Sequence, residues 1–376
     1  MFAGSFALET VQRVAADESI DEWAVLDALG SLVDKSLVVA EPQATGEPRY
    51  RLLETMRQHA LDRLQAAGDA DVTRTRHLDA FVALAEQAKS ESFGPQQGRL
   101  MRRLDLDLEN MLAAHAWCDR LAGGGERDLR LVTGLFRYWL NRALLSLGYR
   151  VTQEALRRPG AGGRDRLRGE ALTQAGELGA RTGLFEQAMQ AHDEAIAIAR
   201  ELGAPDILAH ALTLSGLSRV EQGDLVGARV QLEEALGLSR EVGSESGPFG
   251  KAALALGELE RLEGNWTRAL SLYEAALAQT RQQGDLRLIA FCLNNLVMTA
   301  IAQGSTAGVR ERLLQAVALD EETFDINRYG RVFPLFVSAG LRPCEATGND
   351  LPDSKARRPS TLLSLDGRWI RRTRPT

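Results

Sequence analysis

Cysteine is scarce in this 376-residue chain: Cys118, Cys292 and Cys344 stand alone, at no spacing that frames disulfides or a metal site. That usage excludes a disulfide-stapled scaffold and fits a reducing cytoplasm. Aromatic residues make up 6% of the chain, and with abundant Ala and Leu this leans towards helices. No apolar run reaches the roughly 18 residues of a membrane span, and no basic stretch followed by an apolar core marks an export signal. The five histidines (His59, His77, His115, His192, His210) never pair at ligand spacing, and Ser5 and Ser36 lack the His/Asp company of a nucleophile. No G-x-x-x-x-G-K-[ST] loop occurs, so the phosphate cradle, its lysine and its magnesium ligand are missing together. These absences leave no catalytic, cofactor or metal residue to nominate, and a non-enzyme is expected. The formal charge of −6 argues against a chain devoted to nucleic acid, though a local basic patch is compatible with it.

What the chain does have is a period. Gly183, Gly223, Gly264 and Gly304 fall at steps of 40, 41 and 40 residues. Five places later come Ala188, Ala228, Ala269 and Val309, then His192, Leu232, Tyr273 and Leu313, then Ala195, Ala235, Ala276 and Ala316. Seven residues before each glycine sits Gly176, Gly216, Gly257 or Val297. A degenerate lead copy has Ala143 at the glycine place, then Gly148, Thr152 and Ala155. A small residue in one helix, Gly in a tight turn and small residues on the next helix describe two closely packed antiparallel helices. One such pair cannot bury its apolar stripe, so copies stack into a superhelix.

Upstream, Leu8 to Ala16 reads as a short helix, and Asp21 is placed to cap a second, Glu22 to Val33, with Trp23, Val25, Leu26, Leu29, Leu32 and Val33 at helical spacing. Lys35–Ala40 and Arg49–Leu53 read as strands around a Pro/Gly-containing loop, and Glu54–Leu64 as a helix with Met56, Ala60, Leu61 and Leu64 on one side. Helix, helix, strand, loop, strand, helix is the outline of a winged helix. Two bridging helices follow, with Gly123-Gly-Gly125 ending the pair. The expected division is 1–66 winged-helix-like module, 67–128 helical bridge, 129–324 repeats and 325–376 an irregular, disordered tail. From Arg342 on, eight Lys/Arg face four Asp/Glu, so the tail is basic; a read-through or frameshifted end would look the same.

The repeat pattern resembles tetratricopeptide repeats, with Gly257, Gly264, Ala269, Tyr273 and Ala276 closest to the small-small-aromatic-small signature. Its extra length sits in second helices ending in Arg200-Glu-Leu-Gly203, Arg240-Glu-Val-Gly243 and Arg281-Gln-Gln-Gly284, like the arrays of large bacterial signalling regulators. Phe2-Ala-Gly-Ser-Phe6, Leu32-Val-Asp-Lys-Ser-Leu-Val38 and Tyr50-Arg-Leu-Leu-Glu-Thr-Met-Arg-Gln-His-Ala60 resemble the segment after the nucleotide-binding core in bacterial NB-ARC/STAND-type signal-transduction ATPases. Those occur in LuxR-type and SARP-type regulators and behind some adenylate cyclase domains. The resemblance implies the order effector, P-loop ATPase, winged helix, repeats, with the ATPase domain absent here. The abrupt, apolar start at Met1 is read as a truncated gene or an internal start codon.

DNA binding through the winged helix is disfavoured, because Asp17, Glu18, Asp21, Glu22, Asp27 and Asp34 crowd the recognition region and no cation lies between Arg13 and Lys35. In the resembled family the first helices of the repeats line a concave face. Here they supply Gln174, Glu177 and Arg181; Thr213, Arg219 and Glu221; Glu258, Glu260 and Arg261; and Asn294, Asn295 and Thr299. That mixed polar row suits a protein or peptide segment, and solvation alone would explain it equally well. The expected architecture is therefore mainly α, a tetratricopeptide-like α-α superhelix preceded by a small winged-helix-like module. The expected function is a non-enzymatic interaction and regulatory module. The alternatives are a DNA-binding regulator acting through the winged helix or basic tail, and part of an ATPase or cyclase completed in trans by a P-loop chain.

Overall fold

Asp21 accepts a hydrogen bond from the Ala24 amide at 2.7 Å, and this cap sets the phase of the first long helix. Val25 and Leu29 then face inward, while Trp23, about 200° round the helix from Val25, stands 75% exposed. The apolar stripe expected to include Trp23 is narrower than its spacing suggested. The computed structural model describes residues 1–43, 47–91, 93, 97–243, 248–305, 308–323, 361–363 and 369–371. Two compact units contain them: Met1–Ser92 with Arg99–Tyr138 and Arg150–Gly163, and Phe93–Gly98 with Trp139–Tyr149 and Arg164–Thr376.

The first unit begins with strand β1 (Phe6–Ala7), helix α1 (Leu8–Ala15), α2 (Glu22–Asp34), β2 (Val38–Glu41), β3 (Arg49–Leu52) and α3 (Glu54–Ala67). The strands form an antiparallel sheet in the order β1-β3-β2, with Phe6 opposite Tyr50 and Val38 opposite Leu52. β1 was not expected, because two residues are too few to show alternation. The apolar side of α3 is half-buried, with no fully buried residue. Next come α4 (Ala70–Ser90) and α5 (Gln97–Trp117), then α6 (Gly124–Gly134). Gly123-Gly-Gly125 does not simply end the preceding pair: Gly124 and Gly125 open α6. Glycine is required at the second of these places because a Cβ at Gly125 would lie 2.6 Å from the Pro159 carbonyl oxygen.

Unique polar pairs hold this unit. Arg49 on β3 is buried and ties to Asp107 at 2.5 Å, to the Ser5 hydroxyl at 2.9 Å and to the Ser5 carbonyl at 2.7 Å. Asn110, one turn on, accepts from the Ala3 amide and donates to the Ser5 carbonyl, both at 2.8 Å. His115 bridges Asp128 and Glu154, each at 2.8 Å, and buried Arg158 joins Asp128 and Asp119. A charge buried at these sites is tolerable only because every partner is supplied.

A lead pair, α7 (Phe136–Asn141) and α8 (Leu145–Arg157), precedes four regular pairs. These are α9 (Arg166–Arg181) with α10 (Phe185–Leu202), α11 (Pro205–Gln222) with α12 (Leu225–Val242), α13 (Pro248–Leu262) with α14 (Trp266–Gln283), and α15 (Leu286–Ala302) with α16 (Val309–Thr323). The sequence register is a packing register. The rings of His192 and Tyr273 and the side chain of Leu232 fill the places where a Cβ on Gly176, Gly257 or Gly216 would sit, at 2.2, 2.6 and 2.7 Å. Val297 and Leu313 make the fourth such pair, packed in one core with Ala300 and Val309. In the lead pair the polarity reverses: Gly148 on α8 receives Trp139 of α7, to which a Cβ would come within 2.6 Å.

The turn glycines have φ of 87°, 83°, 86° and 74° at Gly183, Gly223, Gly264 and Gly304. Ala143 at the same place in the lead copy is forced to φ 53°. The long second helices α10, α12 and α14 run 18 residues each. Their terminal arginines reach the next second helix, Arg200 to Glu234 at 2.9 Å and Arg281 to Gln315 at 3.2 Å. The residues expected to form a disordered tail, 325–376, lie mostly outside the described residues; within them Thr361–Leu363 and Trp369–Arg371 pair as an antiparallel ribbon.

Candidate functional site

Each first helix packs on the next, α9 on α11, α11 on α13 and α13 on α15, which places these helices in an inner row. A groove runs across that row. Glu177, Ala180 and Arg181 of α9, Leu214, Leu217, Ser218 and Glu221 of α11, Lys251 of α13 and Arg287, Leu288 and Phe291 of α15 line it, with His192 of α10 at its floor.

Glu177 is the electrostatic centre. It is 3% exposed and accepts from Lys251 Nζ at 2.6 Å and from Arg181 Nη2 at 3.0 Å. Burial alone would raise its carboxyl pKa; the charges of Lys251, Arg181, Arg287 and His210 outweigh this and hold it well below the ordinary range. Burial pulls the Lys251 ammonium down, against the upward pull of Glu177. Lys251 also lies 3.4 Å from His210 Nε2. The Arg287 guanidinium lies over the Phe291 ring at 5.3 Å.

His192 is fully buried, and neither ring nitrogen has a hydrogen-bond partner. Burial pushes its pKa down to about 4, with Glu177 pulling up and Lys251 down, so the ring is neutral near pH 7.

Of the residues nominated from sequence, Glu177, Arg181 and Glu221 come together in this groove. Gln174 is buried beside Glu170, one turn before Glu177 on α9. Thr213 and Thr299 are fully buried, and their hydroxyls donate back to the carbonyls of Ala209 and Asn295 at 2.7 Å, which withdraws them from any ligand. Arg219 turns to Asp224 at 2.6 Å and Gln231 at 3.2 Å, bracing the turn of its own repeat. Glu260 is buried under Arg229 at 2.8 Å and Arg268 at 2.9 Å, an inter-helix clamp. Glu258 and Arg261 form a second buried pair at 3.7 Å. Asn295 donates to the Phe291 carbonyl at 3.1 Å, and Asn294 is half-buried with Oδ1 unpartnered.

Sequence reasoning missed Lys251, Arg287 and Phe291. A signal existed for two of them: six residues before each register glycine (or Val297) stand Glu170, His210, Lys251 and Phe291, a row whose chemistry changes at every repeat. Arg287 has no such row to betray it.

A winged helix-turn-helix domain family model matches residues 1–65. Over 226 residues, 58% of this chain, the sequence is 38% identical to a Mycobacterium tuberculosis protein provisionally named an HTH-type transcriptional regulator, and a Mycobacterium bovis protein matches equally. The chain spans about a quarter of the length of these curated relatives (25%). Among solved structures, a Rap protein complexed with Competence and Sporulation Factor superposes with TM-score 0.50 at 12% identity, covering 72% of this chain and 88% of that one. A STAND protein with a tetratricopeptide repeat sensor from Pyrococcus horikoshii aligns with TM-score 0.45 at 13% identity, over 89% of this chain and half (50%) of that one. At such identity the Rap likeness shows the helical-repeat fold and nothing finer. The N-terminal module is thus a winged helix, and the chain is mainly α with tetratricopeptide-like repeats. No helix among the described residues is long and apolar enough to cross a membrane.

Proposed function

We propose that this chain is a non-enzymatic regulatory module whose repeat groove binds a protein or peptide segment. The carrying observation is the groove itself: four first helices present apolar walls, Leu214, Leu217, Leu288 and Phe291, beside the charged groups Glu177, Arg181, Lys251 and Arg287. Concave apolar surface with a few convergent polar groups is what a ligand site requires, and a stack of helix pairs supplies it in extended form. The complex of the Rap protein with Competence and Sporulation Factor supports a ligand-holding role for this kind of repeat. The names of the mycobacterial relatives support a regulatory setting. The resemblance of residues 2–60 to the segment after the nucleotide-binding core of STAND-type ATPases supports a cytoplasmic module with a P-loop ATPase domain acting beside it in cis or in trans. Fluorescence polarisation with a pool of rhodamine-labelled random octapeptides tests the groove. Saturable binding, displaced by the unlabelled pool and weakened by Leu217→Arg, is expected; a flat titration to millimolar protein removes the reading.

The match to a winged helix-turn-helix model favours a second reading, DNA binding by residues 1–65. The acidity of α2 and of the connection before it, where Asp17 lies, opposes it. Asp17 stays ionised near and above neutral pH, its carboxyl held at about 2 by hydrogen bonds from Ser19 and Arg76. Duplex DNA in 50 mM salt is therefore expected not to shift in a gel; a salt-sensitive shift would establish the second reading instead.

A further inference from the structure

His192 departs from its own register. The place that packs against the small residue of the first helix is filled by the apolar Leu232 and Leu313 in two of the other regular pairs, and in the third by Tyr273, whose ring packs there with its one hydroxyl also buried and unpartnered. Here a polar ring stands in it, fully buried and with both nitrogens unpartnered. Such a group destabilises the fold unless something outside the fold satisfies it, and sites where local consistency is broken are where function concentrates.

The surroundings indicate what satisfies it. His192 borders the groove in which three fixed cations, Arg181, Lys251 and Arg287, converge on the single buried carboxylate of Glu177, with Glu221 as the other acidic group lining the groove. The lining thus carries three cationic side chains and two carboxylates. Beside it Leu214, Leu217, Leu288 and Phe291 offer an apolar wall.

We infer that the groove takes an acidic peptide segment, with a side-chain or terminal carboxylate drawn to the Lys251 and Arg287 cations, hydrogen-bonded by the neutral imidazole of His192, and with a neighbouring apolar side chain on the Leu217–Phe291 wall. The inference rests on the reading of the groove as a peptide site. A carboxylate accepts what these donors offer, whereas a cationic segment would face three like charges.

The test uses three rhodamine-labelled octapeptide pools, degenerate except for fixed alternating Asp/Leu, Asn/Leu or Lys/Leu positions, titrated with the full chain. The Asp pool is expected to bind about tenfold tighter than the Asn pool, with the Lys pool weakest, and the preference should shrink as salt rises. Arg287→Gln should cut the Asp-over-Asn ratio to about threefold or less. His192→Leu installs the residue its register holds elsewhere, so the variant should fold at least as stably while losing roughly fivefold in affinity for the Asp pool. Equal binding of Asp and Asn pools overturns the inference but leaves peptide binding standing. So does an acidic preference unchanged in both variants. No binding by any pool removes the inference together with the reading beneath it.

Discussion

The N-terminal unit and the repeats both bury apolar cores and both carry charged pairs, yet the contacts that give each its order differ. In the first, singular polar contacts do the joining: Arg49 with Asp107, Asn110 with the Ala3 and Ser5 backbone, Arg158 with Asp128. In the second, one shape relation is repeated, a small residue against a bulky one, at Gly176/His192, Gly216/Leu232, Gly257/Tyr273 and Val297/Leu313. A non-repeating fold has to specify each contact once, and a charged pair does this because a wrong partner is so unfavourable. A solenoid needs only nearest-neighbour fit and can use the same fit at every step. The contrast is strongest where the repeats break their own rule, at His192 and Ala143.

The largest effect is expected from the singular contacts. Asp107→Asn leaves Arg49 buried beside a neutral group and should cost about 3–5 kcal/mol in urea-monitored stability of the first unit, while Arg49→Met with Asp107→Leu together should recover most of it. A double variant as unstable as the worse single one would show that the pair does more than fill its site.

Acid should divide the His192 repeat from its neighbours. The folded pKa of His192, about 4, lies below its ordinary 6.5, so the unfolded chain binds the proton first. Its contribution is intact above pH 6.5, is lost as pH falls towards 4, and amounts to about 3 kcal/mol. His192→Leu should abolish that part of the pH dependence; an unchanged slope between pH 6.5 and 4 would place the titration elsewhere. His77, also lowered to about 4 by burial, serves as the matching group in the first unit and should keep its share in the variant.

Within the regular pairs, Gly257→Ala pushes a methyl to 2.6 Å from the Tyr273 ring and should cost about 1–3 kcal/mol by calorimetric or denaturant melts. Gly237→Ala on α12, where nothing lies within 4 Å of the new carbon, should instead gain about 0.5–1 kcal/mol. If both glycines respond alike, the packing register carries no special weight. The smallest effect belongs to the lead copy. Ala143→Gly relieves a left-handed alanine at φ 53° and should gain about 0.5 kcal/mol, the strain relieved being partly offset by the greater freedom of an unfolded glycine.

Helix pairing, the turn positions and the winged-helix outline were all legible in the chain, because each rests on local rules: glycine at a left-handed turn, a small residue facing a large one, an aspartate at a helix start. Period, read with the resemblance to tetratricopeptide repeats, located Glu177, Arg181 and Glu221 on the inner row. It could not tell them from Thr213 and Thr299, whose hydroxyls turn back to their own helix, or from Glu260, clamped under two arginines. Nor could it bring Lys251 from two repeats away to within 2.6 Å of Glu177, since that meeting depends on how far each pair is turned against the next. What the sequence determined by itself is therefore the repeating unit, set by contacts between neighbours 16 residues apart, such as Gly176 and His192 or Gly257 and Tyr273. What the tertiary structure alone decided is the groove: which polar groups of α9, α11, α13 and α15 meet, and that His192 lies among them unpaired. Charges 74 residues apart, as Glu177 and Lys251 are, come into contact only once the intervening pairs have stacked.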